Sequence, residues 1–156
     1  MAGKLVSLFA DYAQHHRTAG NQWCHLVGIP LIAFSLLGLL AIELFRVGAW
    51  PVEASLLFLL LTAQGYIRLD ARLGAALAVI YVLFYLGARL LPWQVNLGLF
   101  VLGWVFQFVG HGVFEKRSPA FFHNLAHLRV GPLWVLNHVL HLRPEAPVEA
   151  TPDLRG

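Results

Sequence analysis

Charge is scarce in this sequence. Only 12% of its 156 residues are Asp, Glu, Lys or Arg, against 58% hydrophobic, where soluble domains are about a quarter charged. The apolar residues exceed what a soluble core of this size needs, which points to lipid. Cysteine is nearly missing: Cys24 stands alone, excluding an internal disulfide and any cysteine-cluster zinc site. There is no GxGxxG and no P-loop, and Ser118 has no GxSxG around it. The net charge of +3 comes without a basic stripe interleaved with exposed aromatics, so nucleic acid is not an expected partner. The opening MAGKLVSLFADYAQHH turns polar and acidic after a very short apolar run. It lacks the h-region and cleavage site of a signal peptide, so the first long apolar segment is expected to act as its own insertion signal.

One further absence is the most informative. No histidine falls between Leu26 and Gly110. All eight sit at the two ends of the apolar block: His15, His16, His25, His111, His123, His127, His138 and His141.

What is present reads as membrane-length helix. Leu5, Leu8, Phe9 and Tyr12 recur at helical spacing, so residues 4–16 form a short amphipathic helix expected to lie along the membrane surface. Gly20 and Asn21 suggest a stop and restart, and Trp23 suits the interfacial belt. Leu26 to Ile42 is uncharged and long enough for a first span, with Pro30 expected in its first turns. Arg46, Gly48 and Pro51 mark a break. Ala54–Ile67, Leu73–Ala88 and Gln94–Gly110 follow as three more apolar runs, the first of them marginal in length. A tight charged turn at Arg68, Asp70 and Arg72 and a second turn at Leu91, Pro92 and Trp93 separate them; Arg89 is expected to snorkel. After Pro119, Ala120–Arg129 reads as a helix, Gly131–Pro132 as a break, and Leu133–Leu142 as a second short helix.

The expected fold is all-α: a polytopic membrane protein, a four-helix transmembrane bundle with interfacial helices at both termini. Residues 1–143 form one membrane domain, and the Pro-rich acidic tail 144–156 is expected to be disordered. Nine Lys and Arg fall on the side of the termini and middle loop, against Arg46 and Arg89 on the other. The positive-inside rule then puts both termini, and all eight histidines, on the cytoplasmic side. Oligomeric state is not legible.

His111 and Glu115 leave the last apolar run four residues apart, about 40° apart on one helix face. A histidine and a carboxylate at the end of a membrane segment are costly without a partner, and a divalent metal is one partner. His16 and His25 are expected at the same membrane face. Either of them with His111 and Glu115 gives a histidine–carboxylate set of the kind that suits non-haem Fe(II). The plainer reading pairs Glu115 with Lys116 or Arg117 and leaves His111 as a satisfied helix-end residue. Asn21 and His25 share a face, so Asn21 either orients a ligating imidazole through the ring's other nitrogen or caps a helix. His123 with His127, and Asn137 with His138 and His141, are ligand pairs or a basic face near headgroups. Eight histidines also resemble the di-iron hydroxylases and desaturases, but the HxxxH…HxxHH…HxxHH spacing is not met. A non-enzymatic scaffold or transporter expects polar residues at mid-span; Gln64, Asn96 and Gln107 occur there, without charge.

At these residues the sequence resembles a known family. Tyr12, His16, Asn21, His25, Gly28 and Pro30 resemble the opening motif of the Mpo1-like family. The run QFVGHGVFEKRSPA from Gln107 to Ala120 resembles its second motif, and Asn124 and Gly131–Pro132 fit downstream positions. The likeness spans about residues 5–140. It departs near 138, where the family often carries an acidic residue and this chain has Asn137-His138. The resemblance implies a membrane Fe(II)-dependent dioxygenase of fatty-acid α-oxidation. Its substrates would be O2 and long-chain 2-hydroxy fatty acids, its product an acid one carbon shorter. It implies His16, His25, His111 and Glu115 as catalytic metal-site residues, with Asn21 beside them. Arg17, Lys116 and Arg117 become candidates to pair with the substrate carboxylate. The membrane would be the inner membrane of a bacterium or the endoplasmic reticulum of a eukaryote.

Overall fold

In a computed structural model, which describes residues 2–116 and 126–143, the chain is built from helices and one hairpin. Helix α1 (Ala2–Gln14) precedes α2 (Ala19–Leu39). Strands β1 (Glu43–Val47) and β2 (Trp50–Glu53) lead into α3 (Ala54–Leu69), α4 (Ala71–Ala88) and α5 (Trp93–Val109). A π-helical segment, Gly110–Glu115, continues α5, and α6 (Ala126–Leu140) closes the described chain.

Among the described residues, three helical stretches are long and apolar enough to cross a membrane: Ala19–Leu39, Ala71–Ala88 and Trp93–Glu115. Helix α3, with 16 residues, is shorter. The expected four spans are therefore three of full length and one shorter apolar helix. Leu60, Leu61, Val79, Leu83, Val101 and Val105 are exposed on the bundle's outer surface, as lipid-facing positions are. Trp23 is exposed near the start of α2, and Trp50 and Trp93 at the opposite end, where an interfacial belt favours indole rings.

Small residues bring α2 and α5 together. A Cβ on Gly28 of α2 would stand 2.9 Å from the carbonyl oxygen of Gly103 on α5, and one on Gly103 3.0 Å from that of Gly28. Backbone thus meets backbone, the close approach that drives helix association where lipid removes the hydrophobic incentive.

The segment read as a plain break at Arg46, Gly48 and Pro51 is instead an antiparallel hairpin, so the fold is not purely α. Val47 pairs with Trp50, leaving Gly48 and Ala49 as the loop. Gly48 has φ +61°, which a tight hairpin turn demands and glycine permits. Just beyond it, buried Glu53 accepts from Tyr85 Oη at 2.8 Å and Arg89 Nη2 at 3.0 Å. Arg89, expected to snorkel, has a 41% exposed side chain and pairs with Glu53.

Other boundaries also move. The restart of α2 is capped by Thr18, whose side chain accepts from the Asn21 N–H, so Asn21 is not the cap. Because α2 begins at Ala19, Pro30 lies inside the helix rather than in its first turns. Gly131–Pro132 does not break α6, which runs through both. Helices tolerate an internal Pro where neighbouring elements satisfy the freed carbonyls, and α6 packs its Val130, Leu133 and Trp134 into the core. Helix α1 contributes to the same core: Leu5, Phe9 and Tyr12 are buried there, so its apolar face meets α6 and α3 rather than lying only on lipid. The tail from 144 onward, His123 and Arg117 lie outside the described residues.

At the α3–α4 turn, Asp70 caps α4 by accepting from the N–H groups of Arg72 and Leu73, both at 3.0 Å. Arg143 reaches it with Nε at 2.8 Å, tying the end of the described chain to this turn. Asn137 holds the Arg143 backbone in place, donating to its carbonyl and accepting from its N–H.

Candidate metal centre

Three histidines from distant parts of the sequence meet in one buried pocket. His16 sits in the connection between α1 and α2, His25 on α2, and His111 in the π-helical segment. Each is at most 3% exposed, and one ring nitrogen from each lies within 4.8 Å of those of the other two. The ring centroids of His111 are 4.9 Å from His16 and 4.8 Å from His25.

Local structure fixes the tautomers of two of them. His16 Nδ1 lies 2.6 Å from the carbonyl oxygen of Tyr12, and His25 Nδ1 lies 2.9 Å from that of Asn21. A carbonyl only accepts, so both Nδ1 atoms carry the hydrogen and both Nε2 atoms carry lone pairs. Those two Nε2 atoms face each other at 3.1 Å. Two bare lone pairs at that distance repel unless a proton or cation lies between them. Two nitrogens about 2.1 Å from one divalent ion, in adjacent coordination positions, stand at such a separation. Burial, then the neighbouring His25, push the His16 imidazole down to about 2, so the ring is neutral, the form a metal requires. The Tyr12 ring stacks on His16 at 3.9 Å and 10°, holding its plane.

Glu115 is not in this trio. Its Oε1 accepts from the Thr18 N–H at 2.8 Å and from Thr18 Oγ1 at 3.1 Å. The start of a helix offers unsatisfied N–H groups and a partial positive charge, and the carboxylate goes there. Glu115 thereby ties the element carrying His111 to the start of the element carrying His25. Asn21 orients His25, but through its backbone carbonyl. Its side-chain Nδ2 donates to the His15 carbonyl at 3.3 Å, and Oδ1 is buried without a partner among the described residues. Gly110 packs on this amide: a Cβ there would collide with Asn21 Oδ1.

The trio opens onto a cavity of about 390 Å³, in the range of ordinary small-molecule sites. Its wall is apolar: Ile29, Ile32, Ala33 and Leu36 of α2, with Phe58 and Phe100. Arg17 and Lys116 are exposed and do not line it. Arg129 does, and among the described lining residues it is the one Lys or Arg. Its Nη2 comes within 3.1 Å of where a Cβ on Gly65 would stand, so the bare glycine leaves the guanidinium room. Gln107 also lines the cavity, with a buried Nε2 that has no partner among the described residues. Its position one turn before His111, in an otherwise apolar run, was the signal for it; nothing local marks Arg129. His127, read from sequence only as half of a generic pair with His123, lines the cavity too.

Comparison with known proteins identifies the family. The family model described as 2-hydroxy-palmitic acid dioxygenase Mpo1-like matches residues 3–142. The 2-hydroxy-palmitic acid dioxygenase MPO1 of Saccharomyces cerevisiae is 32% identical over 134 residues, covering 85% of this chain and 77% of the yeast protein. No solved structure matches. With the family model covering almost all of the described residues, the chain belongs to the Mpo1-like family.

Proposed function

We propose that this chain is an Fe(II)-dependent membrane dioxygenase that converts long-chain 2-hydroxy fatty acids to acids one carbon shorter. The observation that carries the reading is the pair of inward-facing Nε2 lone pairs on His16 and His25, 3.1 Å apart, beside His111. Family membership and the yeast relative's printed activity supply the substrate class. Three imidazoles with room for further ligands suit a catalytic ferrous ion. Such an ion, when bound, supplies dioxygen activation.

The protein's own residues do the rest. His16, His25 and His111 hold the ion, and the carbonyls of Tyr12 and Asn21 fix two of the rings. Glu115 keeps the segments bearing His25 and His111 in register. The apolar wall of the cavity takes the alkyl chain and excludes water. Arg129 binds the carboxylate, and the unpaired Gln107 amide donates to a head-group oxygen. The stoichiometry closes without an external reductant: one O2 and one 2-hydroxy acid give the shortened acid, CO2 and water. The bond between the carboxyl carbon and C2 breaks, and C2 becomes the new carboxyl. In the membrane, α3 is the fourth, shorter crossing, and the end bearing Arg68, Arg72 and the histidines faces the cytoplasm.

The test is anaerobic iron analysis of purified protein, followed by turnover of 2-hydroxypalmitate with O2. Wild type is expected to hold stoichiometric Fe(II) at the trio, and His111→Ala to lose that iron and turnover together. Turnover by a metal-free protein, or full activity in His111→Ala, would overturn the reading.

A further inference from the structure

A second group of metal-ligating side chains stands next to the first and is not used by the reaction above. Asp11 and His15 occupy one face at the end of α1, a turn apart, and His127 faces them from the first turn of α6. One ligand atom from each lies within 4.8 Å of the other two. His15 Nδ1 donates to the Asp11 carbonyl at 3.0 Å, leaving Nε2 with a free lone pair. His127 is 8% exposed. Its Nε2 lies 2.9 Å from Asp11 Oδ2, while its Nδ1 is buried with no partner among the described residues.

We propose that Asp11, His15 and His127 form a second binding site for a first-row divalent cation, separate from the three-histidine centre. Two imidazoles and one carboxylate are a donor set for Fe(II), Mn(II) or Zn(II), and not for Mg(II) or Ca(II), which take oxygen. The doublet His15-His16 divides between the two groups, one ring to each. The Tyr12 ring lies against both, 3.9 Å from the His16 centroid and 5.6 Å from that of His127. The two groups share no ligand, which separates this arrangement from a carboxylate-bridged di-iron centre. Asp11 is 45% exposed, so this site loads from the aqueous side while the trio is enclosed. A cation there pins α1 to the part of α6 that lines the cavity.

The experiment is metal counting on the full chain in detergent, with Co(II) as the probe under anaerobic conditions. Bound metal is measured after gel filtration, and the visible absorption of each site is recorded. Wild type is expected to retain two equivalents, and His111→Ala one. Asp11→Asn is the decisive variant: its amide still accepts a hydrogen bond from His127 but is a poor ligand. It is expected to retain one equivalent with the trio's absorption unchanged. Two equivalents in Asp11→Asn, or one in wild type that Asp11→Asn keeps, would overturn the second site and leave the trio standing. One equivalent in wild type that Asp11→Asn loses and His111→Ala keeps would instead overturn the catalytic reading.

Discussion

His16 Nε2 and His25 Nε2 point at each other across 3.1 Å, and each ring is turned that way by a backbone carbonyl behind it. Those carbonyls decide which nitrogen each ring offers, so a cation held between them would meet two aimed lone pairs.

Glu115 separates a ligand from a positioning residue. If its carboxylate acts through Thr18, Glu115→Gln weakens metal binding without abolishing it and costs about 1 kcal/mol at the start of α2. Isothermal titration with Co(II) alongside a thermal melt checks this. Loss of the trio's metal in Glu115→Gln, as complete as in His111→Ala, would make the carboxylate a direct ligand.

Arg129 predicts a split in the kinetic constants. A charge-assisted hydrogen bond to a carboxylate contributes roughly 1.5–3 kcal/mol, so Arg129→Ala should raise KM for a 2-hydroxy acid by about tenfold or more. Arg129→Lys should recover part of it. Arg17→Ala, which changes a side chain outside the cavity, should leave KM alone. Equal KM for Arg129→Ala and wild type would remove Arg129 from the substrate site.

Asp70 gives a pH dependence of stability. Burial opposes its ionisation, but the Leu73 N–H and the Arg143 guanidinium outweigh that and hold the carboxyl below the usual carboxylate range. The folded value therefore lies below the unfolded value of about 3.9. The stabilisation is fully present above the unfolded value and is lost as pH falls through the folded one. Asp70→Asn is expected to lower Tm at pH 7 by removing the charge that Arg143 pairs with, and to narrow the gap from wild type as pH drops below about 4. Melts in detergent from pH 7 down to pH 3 measure it; a gap that stays constant would contradict the assignment.

Gly28 and Gly103 set the distance between α2 and α5, and so between His25 and His111. Gly28→Ala would place a methyl 2.9 Å from the Gly103 carbonyl oxygen, an overpacking that costs about 1–3 kcal/mol. The expected result is a lower Tm with weakened metal binding, read in the same melt and titration. Unchanged values in both would mean that the helices have room to part.

Sequence alone determined the broad outline of this protein. Scarce charge and long apolar runs required lipid-facing helices, because a polar backbone in hydrocarbon must close its hydrogen bonds within the segment. The confinement of histidine to the ends of the apolar block, with the Mpo1-like motifs around His16, His25 and His111, marked the candidates that the fold brings into one pocket. The sequence did not reveal that residues 43–53 pair as a hairpin or that α6 runs through Pro132. Glu53 of the hairpin is held by Tyr85 and Arg89, 32 and 36 positions on, and α6 packs against α1, α2 and α4, neighbours that lie far away in the chain. Nor could spacing show where Glu115 binds: its four-residue offset from His111 suggested one shared face, while its Oε1 accepts from the start of α2, 97 positions earlier at Thr18. Which histidines share a pocket, which nitrogen each ring offers, and that Arg129 reaches the cavity over Gly65 were decided only by tertiary structure. Ring orientation is set by backbone carbonyls and packed neighbours, and a one-dimensional pattern carries no information about where those come to rest.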